Sequence, residues 1–297
     1  MDENLQDMTY GSGRNKIPMD LTLAEALRLS WSGRRLFGRF MIIPVAMDTL
    51  LGLVSLVLYD ESDQTVSSMI WSFGMFIPDF LVLTWFAVAC HRLILIGEGA
   101  VSEFGLTCWT WRETRFFLWM LLAYIIGWLF MLLGNTAFFA VVFFLVKACG
   151  FSMKTMSLMI EHPAFFPGVF LVASIPFAYI VGRMSLLLPA TAIDLHPSFS
   201  SAWDLSEGNG WRVAMLVGGV PLAFIVIQAL IWVVPSWLLA VTFHENRSEL
   251  NVTSIGLTFG QSILRYSFAM VEIAILSITF RRLRTKEEQK LASPPAT

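Results

Sequence analysis

From Phe116 to Val146 the chain runs 31 residues without a charged side chain. A helix needs about 20 apolar residues to cross the ~30 Å hydrocarbon core of a bilayer. Divided at its softest point, Gly134-Asn135, the run would give two crossings of about 15 residues, each too short. One long crossing, tilted or kinked, fits better, with its outer end extending past the lipid. Composition agrees. Of 297 residues, 56% are hydrophobic and 14% charged, and mean hydropathy is +0.68; soluble domains carry roughly 25% charge. The solvent for this chain is lipid. Its net charge of −2 gives no overall field toward nucleic acid, and no nucleic-acid partner is expected.

Five further runs meet the length requirement. With the long one, the spans fall at about 40–59, 69–90, 116–146, 165–188, 213–239 and 256–280. The fold class predicted is an all-α integral membrane bundle of six helices. Residues 1–20 read as a polar N-terminal tail, 21–284 as the membrane domain and 285–297 as a disordered tail. Charge asymmetry orients the bundle. One side holds Arg28, Arg34, Arg35, Arg39, Arg92, Arg112, Arg115, Arg183, Arg212 and the basic residues around Arg282; the other holds only Lys147, Lys154 and Arg247. Splitting the third run would reverse the later segments and break this asymmetry. Both termini are therefore expected in the cytoplasm. The polar start shows no apolar stretch ending at a small-residue cleavage site, so no cleaved signal peptide is expected.

Self-similarity runs through the segments on the basic side. EALRLS (25–30), SEFGLT (102–107) and SAWDLS (201–206) share an apolar residue, a spacer, Leu, then Ser or Thr. An arginine follows six or seven residues after each leucine: Arg35, Arg112 and Arg212. FAVACHRLIL (86–95) aligns with FAYIVGRMSL (177–186), placing Arg92 over Arg183; ITFRRL supplies Arg282 as the third copy. The unit predicted is an amphipathic cytoplasmic elbow followed by a helical hairpin, three times over. In FSSAWDLSEG, Phe199 and Trp203 share one helical face, Ser198 suits the start and Gly208 the end. Trp31, Trp109, Trp203 and Trp211 are placed to anchor at the headgroup level, where an amphipathic ring is favoured.

LLLPATAIDLHPSFSSAWDLSEGNGWRVAML resembles the repeated segment of bacterial YciC-like proteins. It is also similar to the membrane domain found beside some glycerophosphodiester phosphodiesterases. Arg183, Pro189, Asp194, Ser198, Ala202, Leu205, Ser206, Gly208, Trp211 and Arg212 carry the likeness. The resemblance implies a six-span bacterial inner-membrane protein. It implies no phosphodiesterase activity, since no soluble catalytic domain is attached.

Chemistry-bearing residues are few. Asp194, His196 and Ser198 lie within five positions, whereas catalytic triads are assembled from distant segments; His196-Pro197 reads as a turn before a capped helix. HENRSE (244–249) lacks the second histidine of a zinc helix. Cys90, Cys108 and Cys149 form no CxxC or His/Cys cluster. No catalytic residue, metal site or cofactor is expected.

Two charge constellations remain. Asp48, Asp79 and Arg265 each lie eight to ten residues into a span, hence roughly 12–15 Å deep at ~1.5 Å per residue; Glu272 follows two turns after Arg265. Such residues face a bundle interior, paired or solvated. They read either as a structural ion pair or as the polar centre of a transport path. The repeated arginines form two tiers: Arg92, Arg183 and Arg282, then Arg35, Arg112 and Arg212. They obey the positive-inside rule without a ligand, and guanidinium forks also suit anionic headgroups. The function expected is a non-enzymatic inner-membrane protein that engages anionic phospholipid as an organising or accessory subunit, with other membrane proteins as further partners. A transporter or channel using the midplane charges is the alternative. A membrane-embedded enzyme acting on lipid is a third reading, which would need acidic or histidine residues grouped at one interface.

Overall fold

The computed structural model describes residues 16–58, 66–102, 109–150, 165–224, 226–228, 230–231 and 252–292. HENRSE, SEFGLT beyond Ser102, Cys108, Lys154 and Arg247 lie outside the described residues. Six helices are long and apolar enough to cross a bilayer. The chain is a multi-spanning, all-α membrane protein.

The elements run as follows: α1 Met19–Ser32, α2 Arg34–Leu58, α3 Val66–Leu95, α4 Trp111–Ala148, α5 Phe165–Met184, α6 Leu187–Ala192, α7 Phe199–Leu205, α8 Gly210–Val213 and α9 Val252–Ala292. A π-helical turn, Ala214–Gly219, continues α8. It lies just ahead of Pro221, whose missing N–H and ring disturb the ladder one turn earlier.

The long apolar run forms one unbroken helix. α4 has 38 residues, about 57 Å at ~1.5 Å each. Thr110 starts it: its hydroxyl accepts from the Arg112 amide, and Glu113 reaches back to the Thr110 amide at 2.8 Å. This capping box satisfies amides that have no partner within the helix. Leu132, Leu133, Phe144 and Leu145 on the far half are exposed, as lipid-facing residues are.

α9 is the central helix. Residues 273–280 are buried on every side, and α9 packs on α1, α2 and α3. Ala274, Ile275 and Ile278 join one core cluster with Ile17, Ala26, Leu187 and Leu216. Tyr266 and Ile273 join a second with Phe37, Phe86, Val88 and Phe116. Between α5 and the π turn, small residues allow backbone contact. A Cβ on Gly182 would lie 2.9 Å from the Ala214 Cα, and one on Gly218 2.8 Å from the Ala178 Cα.

The helix bounds depart from the sequence boundaries at three places. The N-terminal segment is no tail by residue 17: Ile17 is fully buried and α1 begins at Met19. α1 turns Thr22, Ala26 and Ser30 inward, four residues apart, and docks on α9. The last helix runs on to Ala292, because TKEEQK is rich in good helix formers and Arg284 pairs with Glu288 one turn on, at 3.0 Å. The fourth span breaks at Ser185 and Leu186 before α6 resumes.

Candidate functional site

The segment 194–212 is built from local polar contacts. Asp194 adopts a left-handed φ of 63°, which Asp tolerates better than most residues. Its carboxylate accepts from Arg92 at 3.0 Å and from Arg112 at 3.3 Å. His196 contacts Arg115. Ser198 caps α7, accepting from the Ser201 amide at 3.2 Å. Each polar member of this group thus has a structural partner. α7 ends at Leu205 with Ser206 as its C-cap, and Gly208 takes the left-handed turn at φ 71°.

Arg183, from the end of α5, holds α7 in place. Its Nε donates to Ser206 Oγ at 2.7 Å, and its terminal nitrogens donate to Tyr179 Oη at 3.0 Å and the Trp203 carbonyl at 2.6 Å. The guanidinium lies 3.6 Å from the Trp203 ring centre, a cation–π contact. The turn after α7 is tied to the N-terminal segment: Asn209 Oδ1 accepts the Ile17 amide at 2.8 Å, and Arg212 donates to the Ile17 carbonyl.

These ties leave an open cleft of about 560 Å³, walled by Tyr179, Trp203 and Trp211 and carrying Lys16, Arg183 and Arg212. Asp204 and Glu207 stand exposed at its rim. Several arginines elsewhere in the fold meet carboxylates. Arg92, Arg112, Arg265, Arg281, Arg282 and Arg284 each pair with a carboxylate. Among the described residues, Lys16, Arg183 and Arg212 pair with none, as is also true of Arg28, Arg34, Arg35, Arg39, Arg115 and Lys147; the cleft gathers three such cations in one place. Lys286 adds positive charge within electrostatic reach of Arg212 and Arg282.

The six arginines singled out in the sequence meet different partners. Arg92 and Arg112 meet at Asp194. Arg282 donates to Thr22 Oγ1 and Glu25, both at 2.7 Å, fastening α9 to α1. Arg183 and Arg212 line the cleft. Arg35 is exposed, with no hydrogen bond or ion pair among the described residues. Each arginine follows the acceptors its own segment meets, and those differ from segment to segment. Trp31, Trp109, Trp203 and Trp211 all expose their rings.

Between α2, α3 and α9, the partly buried Arg265 bridges two carboxylates. One terminal nitrogen donates to Asp48 of α2 at 2.9 Å and to Asp79 of α3 at 2.7 Å; the other donates to the second Asp79 oxygen at 2.7 Å. Glu272 does not join them and makes no hydrogen bond or ion pair among the described residues. Seven residues along a helix is about 10 Å, beyond side-chain reach.

The sequence reading missed the His91–Ser277 pair, whose Nδ1 and Oγ share a 2.7 Å hydrogen bond between α3 and α9 with His91 fully buried. A signal for it existed. Asp79–Arg265 and His91–Ser277 are both 186 apart in sequence, as two parallel helices in constant register require. Among the described residues, no group of three or more His, Cys, Asp or Glu is placed to hold a metal ion. No protein-family model, no curated protein and no solved structure matches the chain.

Proposed function

We propose that this protein is a non-enzymatic, multi-pass membrane protein that seats the headgroup of an anionic phospholipid in the cleft beneath α7. The observation carrying this reading is the set of cations without carboxylate partners. Lys16, Arg183 and Arg212 share one cleft, whereas Arg92, Arg112, Arg265 and Arg282 meet carboxylates within the fold. A phosphate supplies the missing charge and accepts from guanidinium forks. The exposed rings of Trp203 and Trp211 suit the boundary between headgroup and acyl chain. Basic pockets between helices are the recurring form of anionic headgroup sites.

The reading extends to what the sequence repeats imply: three elbow-plus-hairpin units, likeness to the YciC-like membrane proteins, a bacterial inner membrane, both termini in the cytoplasm, and an accessory or organising role beside other membrane proteins. Supporting it, Arg183 and Arg282 each fasten the end of one spanning helix to a short helix, α7 and α1.

Native mass spectrometry after mild delipidation tests the site. Lys16→Ala removes a side chain with no hydrogen bond or ion pair among the described residues. It should weaken retention of phosphatidylglycerol or cardiolipin by about 1 kcal/mol, roughly fivefold. Arg212→Gln should add a similar loss, and retention of zwitterionic phosphatidylethanolamine should stay level. Equal retention of all three lipids by the unaltered protein and both variants would refute headgroup binding.

A further inference from the structure

The Asp48–Asp79–Arg265 triad sits midway along three membrane-spanning helices and stands apart from the cleft. Its charges do not balance. Two carboxyls meet at one guanidinium nitrogen, and a guanidinium does not surrender its proton. Fully ionised, the triad would carry one uncompensated negative charge inside the membrane, a costly arrangement. Two carboxyls crowded together share a proton for the same reason.

The geometry distinguishes the two carboxyls. Asp79 accepts both arms of the Arg265 fork, the arrangement that most favours an ionised carboxylate. Asp48 receives a single bond from Arg265, and the Ser262 hydroxyl and the Asp79 carboxyl are its other polar neighbours. A second observation points to the same place. Tyr266, beside Arg265 on α9, is fully buried, and its hydroxyl has no hydrogen-bond partner among the described residues. It lies within electrostatic reach of Arg265, Asp48 and Asp79. Buried hydroxyls are rarely left unsatisfied. The charged groups acting on Asp48 are Asp79 from α3 and Arg265 from α9; Glu272, further along α9, pairs with neither.

We propose that the triad is a proton-binding site: it takes up one proton, seated on Asp48, and so becomes electrically neutral within the membrane.

Charge counting gives an unusual test. Replacing either aspartate by asparagine leaves one carboxylate opposite one guanidinium, so either change should release the proton. Glu272→Gln serves as background, removing the other carboxyl on α9. Full-length protein in lipid nanodiscs at neutral pH should show the infrared carbonyl band of one protonated carboxylic acid in that background. Asp48→Asn and Asp79→Asn, each added to it, should abolish the band. A background protein without the band, or a band surviving Asp48→Asn, overturns the proposal. A measurement on the unaltered protein covers the case of a variant that does not fold. Dicyclohexylcarbodiimide adds a carboxylic acid across its C=N bond, the acid proton passing to nitrogen, and rearranges to a stable N-acylurea. Peptide mapping should find that adduct on Asp48; folded protein that gives no adduct there also overturns the proposal.

Discussion

Arg183 turns its guanidinium inward, where each of its three nitrogens finds an acceptor within the α5–α7 junction. Arg183→Gln should therefore cost about 2–4 kcal/mol, since it leaves the Ser206 and Tyr179 contacts unfilled and removes the stacking on Trp203. Arg183→Lys should rescue little, because an ammonium cannot reproduce a planar fork. Thermal unfolding of the purified protein followed by Trp fluorescence reads both variants; near-wild-type stability of the lysine variant would contradict the fork's role. At this scale the sequence was partly legible. Depth arithmetic alone put Asp48, Asp79 and Arg265 at one level, and the ion pairs lie there. The acceptors of the arginines were hidden, because many are backbone carbonyls: Ile17 for Arg212, Trp203 for Arg183, Ala192 for Arg92. A carbonyl belongs to every residue and leaves no trace in sequence.

Backbones approach closely where α5 crosses the π turn. Ala178 and Gly182 face Gly218 and Ala214, each pair spaced four apart, as small residues are in membrane helix interfaces. Without a strong hydrophobic force between helices in lipid, such close packing is what joins them. Gly218→Val would drive a branched side chain into the Ala178 backbone and should destabilise by about 1–3 kcal/mol. Gly219 is the control: its nearest neighbour, the Met215 side chain, is 3.7 Å from a built Cβ, so Gly219→Ala should be neutral or slightly stabilising. Detergent-melt midpoints for the two variants should separate; equal midpoints would show the seam to be loose. Hydropathy marked every span, because length and apolarity are properties of a single segment. It missed the break at Ser185–Leu186 and the docking of α1, because both depend on contacts between segments: the break on packing around α6, the docking on Arg282 and Glu25, 257 residues apart.

The whole bundle is asymmetric in length. α4, at about 57 Å, exceeds the ~30 Å hydrocarbon core by nearly a second thickness, so tilt must absorb part of it. Its end at Cys149 is exposed, while Cys90 is buried. In a Cys108→Ala background, a membrane-impermeant maleimide should label Cys149 in intact cells. Labelling only after the membrane is opened would place that end in the cytoplasm and reverse the proposed orientation. The central position of α9 also has a consequence for synthesis. Arg265 is made 186 residues after Asp79 and 217 after Asp48. At ~5–20 residues per second, a ribosome takes roughly 10–40 s to cover that distance. For that interval the first two hairpin helices sit in the bilayer with two acidic groups and no counter-ion. A chain ending before Val252 never acquires one, and pulse-chase labelling should show it degraded faster than the full-length protein. A helix made long after the first two is the one that lets them stay.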